Sequence, residues 1–142
     1  MIIEEKFLYS AGAELIQYRS GDMIFQEGEI LVYYHQLIQG KLKLCCHSKG
    51  GTLYQSSVSE GQSFGDALLF FDKPYPVTAF AVEACDVIRL CKYNFFSMLE
   101  VYPQLYNGLC KELARHCYKQ YERAEMDSEN SAQRFMKLFD CL

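Results

Sequence analysis

Hydrophobic and polar positions change period once along this chain. Up to about Cys91 the apolar residues come in short runs, and Lys41-Leu42-Lys43-Leu44 alternates cleanly. Successive strand side chains point to opposite faces, so that alternation predicts a half-buried strand with its lysines outward. Comparable strand-like stretches run over Asp22–Gln26, Leu31–Gln39, Lys41–His47, Thr52–Val58, Thr78–Glu83 and Asp86–Cys91. Gly21, Gly28, Gly40, Gly50, Gly51, Gly61 and Gly65 punctuate them, mostly at the ~8–12-residue rhythm of short antiparallel strands joined by turns. Ser48-Lys49-Gly50-Gly51 reads as a hairpin turn, and an apolar helical turn is expected from Ala67 to Phe71. The fold class predicted is mainly β with α: a double-stranded β-helix (jelly roll or β-roll) followed by a long C-terminal helix.

The helical period begins near Asn94. Asn94–Val101 reads as a short helix, Pro103 as a first-turn proline of the next, and helix continues to about Asp127. Cys110, Leu113, Cys117, Tyr121 and Ala124 step by three or four residues and make one stripe. Lys111, Arg115, Lys119 and Arg123 form a separate row, read as a solvated face. The stripe needs an apolar partner, either the chain's own β-roll or the same helix of a second subunit. A last segment from Ser128 restarts a helix with serine or asparagine as its cap.

Composition narrows the class. The chain has 142 residues, half of them hydrophobic, enough for one domain with a true core. A net charge of −4 argues against a free-standing nucleic-acid binder. Met-Ile-Ile-Glu-Glu-Lys lacks the order of a secretory signal, and no apolar run approaches the ~20 residues that span a bilayer, so a soluble, cytoplasmic protein is expected. Seven cysteines are scattered with no Cys-x-x-Cys, which favours reduced buried thiols over a disulfide framework or a metal site. His35, His47 and His116 include no His-x-His pair, and no Gly-x-Ser-x-Gly elbow occurs, so neither a cupin-type metalloenzyme nor a serine hydrolase is supported. The expectation is a non-enzyme without cofactor or metal.

The most informative segment is Phe64-Gly65-Asp66-Ala67-Leu68-Leu69, continued by Lys73-Pro74-Tyr75-Pro76-Val77-Thr78-Ala79. It resembles the phosphate-binding cassette of cyclic-nucleotide-binding domains, as found in Crp/Fnr transcription regulators, whose usual form is Phe-Gly-Glu, a short helix, then Pro-Arg-Ser/Thr-Ala. Gly21-Asp22, Glu27-Gly28-Glu29 and Ile38-Gln39-Gly40-Lys41-Leu42 resemble the family too. Asp66 stands at the glutamate position, and the arginine position falls on Val77 or, counting back from Cys85 without gaps, on Tyr75. Neither is cationic, Lys73 is the only cassette cation, and a buried anion without its charge partner loses ~3–5 kcal/mol.

The resemblance implies an effector-sensing domain of a Crp/Fnr-type regulator that binds a small molecule other than cAMP. Its candidate ligand-binding residues are Phe64, Gly65, Asp66, Ala67, Leu68, Tyr75, Val77 and Thr78, with Gln120 and Tyr121 from the long helix. An apolar cavity edged by Phe64, Leu68, Leu69, Tyr75 and Val77 is expected, with Asp66, Thr78 or a tyrosine hydroxyl orienting the ligand. It also implies a homodimer through Cys110, Leu113, Cys117, Tyr121 and Ala124. Segments follow: 1–100 the β-roll sensor with an N-terminal helical stretch, 101–127 the dimerisation helix, and 128–142 the first helix of a truncated DNA-binding domain, with DNA contact left to a helix-turn-helix absent from this sequence. The alternatives are a ligand-free assembly module with a vestigial pocket, a redox-responsive regulator using cysteines, and a natural stand-alone module.

Overall fold

The computed structural model describes residues 2–47 and 53–126. Two compact units follow one another, residues 1–102 and 103–142.

The first unit is built on two antiparallel four-stranded sheets. Its elements are α1 (Glu5–Ser10), β1 (Glu14–Tyr18), β2 (Met23–Phe25), β3 (Tyr33–Gln39), β4 (Leu42–His47), β5 (Leu53–Val58), β6 (Ser63–Phe64), a short 3-10 helix (Asp66–Phe70), β7 (Thr78–Ala81), β8 (Cys85–Cys91) and α2 (Lys92–Val101). One sheet has the order β1-β8-β3-β6 and the other β2-β7-β4-β5. This is the expected jelly roll, in which consecutive strands mostly lie in different sheets. The turn expected at Ser48–Gly51 lies outside the described residues, although β4 and β5 pair in register from Leu42↔Val58 to His47↔Leu53.

β3 shows why the two sheets enclose a core. Tyr34, His35, Gln36 and Leu37 are all buried, so the strand is covered on both faces and cannot alternate in polarity as an edge strand does. His35 stacks on Phe64 within the roll, while Tyr34, on the opposite face, stacks on Phe95 of α2 with ring centres 4.6 Å apart. The polar groups on that outer face satisfy one another: Tyr34 Oη donates to Gln36 Oε1 at 2.7 Å, and Gln36 Nε2 donates to the Ile3 carbonyl at 2.9 Å. The N-terminal segment is thereby tied to the sheet through a buried amide.

Several boundaries differ from expectation for local reasons. The apolar turn is a 3-10 helix over Asp66–Phe70, and Phe71 is already extended. α2 starts at Lys92 rather than Asn94 and ends before Tyr102, whose φ of −122° and ψ of 72° are those of a residue kept out of the helical region by the following proline. β1 and β6 were not expected. β1 carries adjacent Leu15 and Ile16 instead of an alternation and takes its strand form from pairing with β8; β6 is two residues held against β3.

The second unit contains α3 (Leu105–Met126). Pro103 precedes this helix instead of lying in its first turn, and its carbonyl accepts the Tyr106 N–H at 3.1 Å. Glu112 binds Arg115 at 3.0 Å and reaches His116 at 3.5 Å, both along the helix. Among the described residues no helix is long and apolar enough to cross a membrane.

Candidate functional site

The cassette residues meet at one end of the roll interior. β6 delivers Phe64 inward, directly opposite His35 of β3. Gly65 then turns the chain with a φ of 77°, in the left-handed region that a side chain disfavours, and so caps the 3-10 helix. The first helical residue, Asp66, is 2% exposed. Leu69 is buried, Ala67 and Leu68 are half-buried, and Phe70 is exposed at the helix's far end.

The loop that follows turns back into the roll at Tyr75. Pro74 and Pro76 flank it and are exposed, while Tyr75 is 4% exposed. Its main chain is clamped twice, Tyr75 N to the Glu29 carbonyl and Gly28 N to the Tyr75 carbonyl, each at 2.8 Å. Its ring meets Phe25 edge-on with centres 4.2 Å apart. A Cβ on Gly65 would lie only 2.5 Å from the Tyr75 hydroxyl oxygen and 3.0 Å from Leu31. Phe25 also faces His35 at 5.5 Å and Phe64 at 5.9 Å. The interior here is an aromatic cluster of Phe25, His35, Phe64 and Tyr75.

Two of its titratable groups are held neutral. Burial, with the Asp66 carboxylate nearby, raises the Tyr75 phenol well above its ordinary range, so it stays protonated. Burial, reinforced by the Arg89 charge, lowers His35 to about 3, so the imidazole is neutral at physiological pH. Arg89 lies opposite His35 in the sheet and opposite Glu14 on the next strand. It binds Glu14 at 3.0 Å and stacks over Tyr33 at 4.6 Å, which engages its charge at the surface. Among the described residues no lysine or arginine is buried, and Lys73 is exposed.

Of the two positions left open for the missing arginine, Tyr75 is the buried one and Val77 is half-buried. Phe64, Leu69 and Tyr75 are themselves packed core, so the expected cavity edge is occupied by side chains. Thr78 Oγ1 accepts the Glu27 N–H at 3.0 Å, linking β7 to the preceding turn. Gln120 and Tyr121 sit on α3, in the second unit, with Cys110, Leu113 and Cys117; the side chain of Ala124 lies outside what is described. Sequence reasoning missed Phe25, Leu31 and His35 as companions of the cassette. Leu31 and His35 belong to a run read as a strand, but strand period alone does not say which loop side chain lands on it.

Among the described residues no cluster of His, Cys, Asp and Glu is placed to hold a metal ion. Cys45, Cys85, Cys91, Cys110 and Cys117 are free thiols, with Cys110 exposed. Hydrogen bonding to the Lys41 and Glu83 carbonyls engages Cys85.

The first unit is a two-sheet roll with a short cassette helix, and a long helix follows it in the chain. The cyclic nucleotide-binding domain family matches residues 15–102, and the chain belongs to that family. No curated protein sequence matches it. Among solved structures, the catabolite activator protein of Thermus thermophilus has a TM-score of 0.76 at 21% identity, over 86% of this chain and 57% of that one. A transcriptional regulator from Thermotoga maritima has a TM-score of 0.72 at 20% identity, over 85% and 95%. The sensor domain of the transcriptional regulator DNR from Pseudomonas aeruginosa has 0.64 at 20%, over 90% and 92%. This chain thus spans little more than half of the Thermus protein. These three structures are those of a catabolite activator protein, a transcriptional regulator and the sensor domain of another regulator.

Proposed function

We propose that this chain is the effector-sensing domain of a Crp/Fnr-type transcription regulator, and that its effector is not a cyclic nucleotide. The observation that carries the second half is the charge of the interior: among the described residues no lysine or arginine is buried, and Tyr75 and Val77 stand at the two positions open to the family's arginine. A cyclic phosphate brought there meets a protonated phenol instead of a cation, and desolvating an unpaired charge costs several kcal/mol. Isothermal titration of the chain with cAMP and cGMP tests this. No binding below the millimolar range is expected, and micromolar binding of either overturns it.

In this reading residues 1–100 form the sensor, 101–127 the dimerisation helix and 128–142 the first helix of a DNA-binding domain. The stripe of Cys110, Leu113, Cys117, Tyr121 and Ala124 pairs with its copy in a homodimer. Effector binding acts by favouring one arrangement of the paired helices over another, which requires different affinities for the two. A second reading, an assembly module that works by dimerisation alone, is favoured by the filled interior around Tyr75. Native mass spectrometry separates the two. A dimer that carries a defined small adduct supports sensing, and a bare dimer supports assembly.

A further inference from the structure

Tyr75 enters the interior from a loop, as its neighbour Leu31 does. Core side chains of a roll are set by strand pleat, but residues 71–77 belong to no strand or helix. The loop nevertheless sends a whole phenol inward, and its backbone is built to hold it there. Pro76 restricts Tyr75 to extended backbone and Pro74 has its own φ fixed, so the Pro-Tyr-Pro unit is stiff. Two reciprocal main-chain bonds to Gly28 and Glu29 fix its position. The receiving surface is equally specific. Gly65 contributes a bare backbone against which the hydroxyl rests, Leu31 closes the same corner, and Phe25 takes the ring edge-on. His35, 3% exposed and neutral, adds a ring nitrogen, Nδ1, that lacks a hydrogen-bond partner, two rings away across Phe25.

From this geometry we propose that Tyr75 is a tethered occupant of the roll's own binding seat. The seat takes one uncharged aromatic ring bearing a hydroxyl, and the chain supplies it from its own loop. This rests on the reading of the roll interior as an effector site. An external ligand of the same chemistry gains the seat only by displacing Tyr75, which breaks the bonds to Gly28 and Glu29. The domain is therefore closed to small aromatic hydroxyl compounds until the Pro-Tyr-Pro loop is released.

The test replaces the tether with a free ligand. Tyr75→Gly removes p-cresol from the side chain, and added p-cresol is the probe. The variant is expected to melt below the parent, and millimolar p-cresol is expected to raise its Tm saturably while leaving the parent unchanged. Toluene, which lacks the hydroxyl, and benzoate, which carries a charge, are expected to restore less. Equal stabilisation of parent and variant, no effect on the variant, or recovery by toluene as complete as by p-cresol overturns the proposal. Should Tyr75→Gly not fold, a double-mutant cycle of Gly65→Ala with Tyr75→Leu gives the answer. The strain of a side chain at Gly65 is common to both backgrounds, so the coupling isolates the contact with the ring. The alanine is expected to lower Tm less when Tyr75 is absent, and zero coupling overturns the seat. Cyclic-nucleotide binding by the parent is a separate outcome. It defeats the proposed effector class, while the p-cresol result decides the role of Tyr75.

Discussion

The hydroxyl oxygen of Tyr75 stands 2.5 Å from where a Cβ on Gly65 would lie. A loop residue and a helix-capping glycine, ten positions apart, thus define one surface of the interior. If this is the place at which the family's arginine is missing, restoring the cation there has a defined effect. Tyr75→Arg is expected to improve cAMP affinity at least about tenfold over the parent, equivalent to about 1.4 kcal/mol. Val77→Arg is expected to give no gain, because Val77 is only half-buried and lies beyond the clamped residue. Titration calorimetry of the two variants decides it. A gain with Val77→Arg alone would place the missing arginine at 77 and leave Tyr75 as ordinary core.

Acid sensitivity should follow from His35. Its folded pKa, about 3, lies below the ordinary 6.5, first because of burial and then because of Arg89. The neutral form is favoured in the fold, so below pH 6.5 the unfolded state binds the extra proton. The stabilisation is fully present above about pH 6.5 and is lost as pH falls toward 3, with a limiting slope of about 1.4 kcal/mol per pH unit. Chemical denaturation from pH 7.5 to 4.5 measures the slope. His35→Phe is expected to flatten it relative to the parent, and an unchanged slope would mean that other groups carry the acid response.

Gly40 offers a test of the fold that is independent of the site. Its φ is 101°, and a Cβ there would meet the Ala84 carbonyl oxygen at 2.4 Å and Cys85 Sγ at 2.8 Å. Backbone offers no flexible side chain that can move aside. Gly40→Ala is expected to destabilise by at least about 1–3 kcal/mol from the backbone conformation alone. Gly28→Ala shares the strained φ, 95°, but has nothing within 4 Å of the added carbon. Thermal melts of the two variants should therefore rank Gly40→Ala as the more damaging.

The proposed dimer is open to a direct test on α3. Leu113→Glu places a charge in the middle of the apolar stripe, and burying it between helices would cost several kcal/mol. Sedimentation velocity at micromolar concentration is expected to show a dimer for the parent and a monomer for the variant. A dimer unaffected by the change would place the interface elsewhere. Oxidation adds a second readout: Cys110 is a free, exposed thiol, and if the two copies face each other along the stripe, mild oxidant should yield a dimer on a non-reducing gel that Cys110→Ser abolishes.

Hydrophobic period by itself determined the class of fold: six of the eight strands among the described residues, the switch to helices near α2, and the long α3. Strand and helix periods come from the backbone's own geometry, so they are written locally. The family was legible too, in Phe64-Gly65-Asp66 and Pro76-Val77-Thr78-Ala79, because a left-handed turn and a fixed loop demand particular residue types at fixed spacing. The two strands that escaped, β1 and β6, exist through pairing with β8 and β3, a choice that no local pattern records. Tertiary structure alone decided which loop residue fills the interior. Val77 and Tyr75 stand two apart in an extended stretch, and counting did not separate them. The bonds from Tyr75 to Gly28 and Glu29, and the space that Gly65 leaves open, did. His35 is the same case: its position in β3 was readable, but its neutral state depends on Phe25, Phe64 and Arg89 closing around it from distant parts of the chain.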